Sequence, residues 1–101
     1  MALTVTTTAP AAIDAPPTVA SVTIGGEPVV GGTLTAVAAV TGDPEPALEY
    51  RWLRCEGDRP NRCDTIEGAT AAAYLAVAGD LGSRLRVRVT ATNALGSDEA
   101  R

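Results

Sequence analysis

Residues 84–92 alternate without a break. Leu85, Val87, Val89 and Ala91 are apolar, while Arg84, Arg86, Arg88, Thr90 and Thr92 are charged or polar. A repeat of two excludes an α-helix, whose faces recur about every 3.6 residues. It matches a strand with one face on a core and the other in water. Such a strand cannot stand alone. It needs neighbours to complete its backbone hydrogen bonds and a second layer to cover its apolar side.

The rest of the chain supplies both. Residues 18–24 predict a first strand, with Val19, Ser21 and Thr23 on one face and Ala20, Val22 and Ile24 on the other. After the Gly25-Gly26 and Gly31-Gly32 breaks, residues 33–41 predict a second, with Leu34, Ala36, Ala38 and Val40 inward. Residues 48–54 predict a third, with Leu48, Tyr50 and Trp52 facing one way and Glu49, Arg51 and Leu53 the other. Short strands are expected around Ile66 and over residues 73–77, and a last one begins at Ser97. The Ala-rich residues 69–73 are too short to hold a helix by themselves, and Gly68 and the following residues pull them toward turn and strand. About seven short strands, with turns every 8–12 residues or so, are the pattern of an all-β antiparallel β-sandwich.

Ahead of this unit, residues 1–16 read as an extended N-terminal arm or linker. Leu3, Val5 and Thr7 alternate with threonines, and prolines follow. The domain proper is placed at residues 17–101. A single domain of 101 residues buries only a little over roughly 60% of its unfolded surface, so a covalent staple matters. Cys55 and Cys63 bracket a polar loop rich in turn formers, as in a disulfide-closed hairpin. The alternative is two free thiols, because a bridge depends on an oxidising compartment.

Composition excludes several functions. With no histidine, a tetrahedral zinc site lacks its commonest nitrogen ligand, and a general base near neutral pH is missing. The net charge of −4 argues against nucleic-acid binding, which rests on a basic surface. No apolar run approaches the roughly 20 residues that span a bilayer. Residues 1–8 lack the basic and apolar regions of a signal peptide, so no cleaved leader is expected; a virion protein released by lysis would need none.

Several segments together resemble the bacterial Ig-like repeats found in tandem in actinobacterial surface and secreted proteins, and similar modules of phage virions. They are Gly31-Gly32-Thr33-Leu34; Tyr50-Arg51-Trp52-Leu53-Arg54-Cys55; Cys63 with Ile66-Glu67-Gly68-Ala69-Thr70; Tyr74; Asp80-Leu81-Gly82; and residues 85–97 with their Val-Thr-Ala-Thr-Asn run. The resemblance covers about residues 17–97. It implies an Ig-like sandwich and little about function, because one fold hosts many functions. Two features depart from the pattern. The cysteine pair is local and does not link the sheets, and after Gly96 only five residues remain, three of them charged.

The expected core is Trp52, Tyr50, Tyr74, Leu85, Val87 and Val89. The aromatics read as packing groups; as the only bulky rings in a chain without Phe, they are less readily spared for stacking on sugars. Ser21, Ser83 and Ser97 have no evident base. Asp43, Glu45, Glu49, Asp58 and Asp64 read as solvated loop or strand carboxylates without calcium-loop spacing. Asp80 is expected to accept backbone hydrogen bonds at its corner. No catalytic residue, cofactor or metal site is expected.

Two features bear on partners. Arg84, Arg86 and Arg88 form an outward row that is either a surface for an acidic partner or a face paired with carboxylates across the sheet. Leu3, Val5 and Thr7 mark an assembly strand or part of a plain linker. The expectation is a non-catalytic structural or attachment module, outside the cell, on its surface or on a virion. Its partner is a neighbouring protein subunit, or else a surface polysaccharide. The alternative is an adhesin domain that binds carbohydrate or protein.

Overall fold

The computed structural model describes residues 14–59 and 61–101. Leu3, Val5 and Thr7 lie outside the described residues. Among the described residues seven strands run in order: β1 (Ala15–Gly25), β2 (Thr33–Asp43), β3 (Ala47–Glu56), β4 (Cys63–Thr65), β5 (Ala73–Leu75), β6 (Ser83–Asn93) and β7 (Gly96–Ala100). One 3-10 turn, Ala78–Asp80, makes the corner between β5 and β6. The strands form two antiparallel sheets, β1-β2-β5 and β4-β3-β6-β7. The sheets pack face to face as an antiparallel β-sandwich.

The core lies where the inward rows meet. Leu34 and Ala36 of β2 face Trp52 of β3 and Val87 and Val89 of β6, and Tyr50, Tyr74 and Leu85 pack around them. Trp52 and Val89 are fully buried, and Val87 is 1% exposed. The β6 alternation seen in the sequence is therefore the inner wall of the four-stranded sheet. Trp52 stacks on Tyr74, with ring centroids 5.4 Å apart, and its Nε1–H donates to the Ala71 carbonyl at 2.8 Å.

β1 differs from its sequence reading in a specific way. It starts at Ala15, so Ala15 and Pro16, read as the end of the arm, belong to the first strand. Its pairing with β2 slips by one residue between Val19 and Ser21, leaving Ala20 as an extra residue. A bulge of this kind reverses the phase of the strand. Val19 and Val22 are consequently the more buried residues of their stretch, although simple alternation puts them on opposite faces.

The two edge strands β1 and β7 meet along one side of the sandwich. The Val19 N–H donates to Asp98 Oδ2 at 2.7 Å. Asn93, the last residue of β6, donates from Nδ2 to the Ala15 carbonyl at 2.9 Å and the Pro44 carbonyl at 3.1 Å. A short, charged last strand thus holds its neighbour with a carboxylate in place of a packed apolar row.

Cys55 and Cys63 form a disulfide. They are directly paired across β3 and β4, beside the Glu56 N–H to Arg62 carbonyl bond. This is a position without ladder hydrogen bonds, where side chains approach most closely. Gly57 brings the same loop against the domain, since a Cβ there would come within 2.4 Å of the Gly82 carbonyl. Closing so short a loop stabilises the fold by about 2.5 kcal/mol in the chain-entropy account. Thermal melts with and without a thiol reductant are expected to differ by roughly 10–20 °C, with the reduced form melting lower.

Candidate functional site

Four regions bring chemistry-bearing side chains together. The first is a polar cluster at the edge of the core. Arg54 continues the inward row of Leu48, Tyr50 and Trp52, so strand geometry aims a guanidinium between the sheets. Asp80, on the 3-10 turn, meets it there and is 7% exposed. Asp80 Oδ1 accepts from Arg54 Nε and lies 2.6 Å from Nη2. Its Oδ2 accepts from the Tyr74 hydroxyl at 2.7 Å and the Val77 N–H at 2.9 Å.

Burial pushes the Asp80 carboxyl up, but the Val77 N–H, the Tyr74 hydroxyl and the Arg54 guanidinium together outweigh it and hold it below its ordinary value. Burial, and then the hydrogen bond to Asp80 and its charge, push the Tyr74 hydroxyl up. The hydrogen bond to Asp80 raises Arg54. Each carboxylate oxygen already has two partners, so little acceptor capacity remains to take a proton from a substrate. The cluster works as a tie: Tyr74 comes from one sheet, Arg54 from the other, and Asp80 from the corner leading into β6. The Val77 N–H bond is the corner contact expected of Asp80. Arg54 and Tyr74 were not foreseen as its partners, although Arg54's place in the inward row was a readable signal.

The second region is the outer face of the four-stranded sheet. Arg84, Arg86 and Arg88 project there from β6. Their register partners on β3 are Cys55, Leu53 and Arg51. Carboxylates enter only one rung further, where Thr90 stands between Glu49 of β3 and Glu99 of β7. Cross-strand pairing with acids therefore does not account for the row, since Arg88 stands directly opposite another arginine. Among the described residues the one ion pair within 4 Å is Arg54–Asp80. A shallow groove of about 650 Å³ borders this face, with Arg51, Arg88, Glu49 and Glu99 among its walls.

The third region is the pole where β1 turns into β2. Ile24, Val29, Val30 and Leu81 are exposed there around a more apolar cleft of about 630 Å³. The fourth is the side of the sandwich opposite the β1–β7 seam. There the segment from Ile66 to Ala72 crosses from one sheet to the other, binding Trp52 and Ala36 by backbone hydrogen bonds.

The remaining candidates stay apart. Ser21, Ser83 and Ser97 lie on three different strands. No group of three or more Cys, Asp or Glu side chains is placed to hold a metal ion among the described residues. No helix there is long and apolar enough to cross a membrane. Comparison with family models, with curated proteins and with solved structures gave no match to this chain.

Proposed function

We propose that this chain is a non-catalytic attachment module of an extracellular assembly, such as a virion decoration layer or a repeat of a bacterial surface protein. It docks through its arginine face on an acidic protein surface. The observation that carries this reading is the register that sets Arg88 against Arg51 and leaves Arg84 and Arg86 without a carboxylate opposite. Like charges side by side on a sheet cost stability unless something else uses them. On a chain of net charge −4 they also form a local field opposite in sign to the whole, which orients an incoming partner. The disulfide fits an oxidising, extracellular setting.

A carbohydrate-binding adhesin is the weaker alternative. Sugar recognition of that kind needs an exposed ring, whereas Trp52 is fully buried and Tyr50 and Tyr74 are half-buried. Replacing Arg84, Arg86 and Arg88 together by Glu tests the two readings. Retention is measured on beads carrying poly-glutamate and on beads carrying neutral polysaccharide. The native chain is expected to bind poly-glutamate at low salt and to be released as salt shortens the screening length. The triple variant should bind at least about tenfold less, at a melting temperature no lower than that of the native chain, because Glu at position 88 would face Arg51. Failure of the native chain to bind poly-glutamate would sink the proposal, and polysaccharide binding equal in both proteins would favour the adhesin.

A further inference from the structure

β2 is paired on both sides for only part of its length. On its β5 side the ladder covers Thr33 to Thr35 and ends with the Ala36 N–H bonded to the Ala72 carbonyl. From there to Asp43 no described strand lies on that side. Backbone groups alternate in direction along a strand, so those of Ala38 and Val40 point the same way as those of Ala36. They face the open side. β3 repeats the situation across the gap. The Trp52 N–H and C=O are taken by Ala69 and Ile66, while Leu48 and Tyr50, which point the same way, have no described strand beside them. Ala38, Val40, Leu48 and Tyr50 lie beside the opening, with Leu48 38% exposed and the other three half-buried.

A bare stretch of edge with apolar flanks is a template for another strand. The chain itself contains a segment suited to it. Leu3, Val5 and Thr7 alternate with Thr4, Thr6 and Thr8, a strand-forming run of nearly the same length as residues 37–43. Added beside β2, such a run would turn one of its two rows, Leu3-Val5-Thr7, toward the gap lined by Ala38, Val40, Leu48 and Tyr50.

Direction decides whose arm it is. β1 starts at Ala15, opposite Asp43, at the pole where β2 ends. An arm folding back from Ala15 onto its own β2 would run parallel to β2, whereas the strand pairs among the described residues are all antiparallel. Parallel pairing is slightly the less stable of the two. An arm from another molecule is free to enter antiparallel. We propose that residues 3–8 of a second copy of this chain add as an antiparallel strand to the open edge of β2 beyond Ala36. This is strand addition between copies, and it is independent of the arginine face.

The test uses the full chain, its Val5→Pro variant and a Leu3→Asp/Val5→Asp variant. Solution mass is read by light scattering and amide exchange by NMR. At high concentration the native chain should have a mass at least twice 10.2 kDa. The Ala38 and Val40 amides should exchange at least about tenfold more slowly than at low concentration. Both variants should be monomers with unchanged melting temperature and fast exchange at those two amides. A native monomer with both amides protected, and deprotected by Val5→Pro, would show the arm on its own edge and overturn the proposal. So would a native monomer with unprotected amides, or an oligomer indifferent to both variants.

Discussion

Trp52→Ala is expected to lower the unfolding free energy by about 3–5 kcal/mol, the range for deleting a large buried ring. A domain of this size has only about 5–15 kcal/mol to lose. The melting temperature should fall by roughly 15–30 °C, read by far-UV circular dichroism because the variant has no tryptophan to report. Trp52 is fully buried, stacks on Tyr74 and lies in the core cluster with Leu34, Val87 and Val89. The chain has no Phe, and Tyr50 and Tyr74 already pack against the cluster, Tyr74 tied by its hydroxyl to Asp80, so neither is free to fill the hole. Trp52→Phe separates packing from hydrogen bonding. It keeps most of the ring but removes the donor to Ala71, so a loss of about 1–2 kcal/mol is expected from the carbonyl alone.

Asp80→Ala should cost about 2–4 kcal/mol, because three donors lose their acceptor at once. The upper end is tempered by Arg54, whose side chain is 36% exposed and can turn to water. The pH profile identifies the cause. The Asp80 carboxyl is held below its unfolded value of about 3.9. Its contribution is therefore fully present above about pH 4 and is lost as pH falls through the folded value. Tyr74 is raised above its ordinary value near 10. Its contribution is full below about pH 10 and is lost as pH rises past that point. Native stability should accordingly decline on both flanks. Asp80→Asn should flatten the acid flank, and Tyr74→Phe the alkaline one. Chemical denaturation at stepped pH measures both, and an Asp80→Asn profile as steep in acid as the native one would count against the account.

The sandwich was legible because its inner rows are written in two-residue alternation. Leu85, Val87, Val89 and Ala91 could be read directly, as could Leu34 and Ala36. The phase reversal in β1 could not. A bulge is set by how a strand meets its partner, and Val19, Ala20 and Val22 give no local sign of it. The Arg54–Asp80–Tyr74 tie was half legible. The parity of β3 carries Arg54 inward, but only the crossing segment and the corner turn bring Asp80 to it from 26 positions further along. The arginine row was visible in the sequence, while its lack of opposing acids depends on register. Leu53 sat on the outward row as read, yet it is 4% exposed. Strands flank it on both sides, with Thr65 and Arg86 at its register.

The seam between β1 and β7 has a mechanical consequence. Asn93 holds Ala15 at one pole and Asp98 holds Val19 further along, so the two strands advance in the same direction. The backbone enters β1 at that pole and leaves β7 heading away from it. Tension between the two ends of the domain therefore drags β1 and β7 past each other along their length. The ties across the seam share the load and must yield together, as in a lap joint, where a peeled edge would give way one bond at a time.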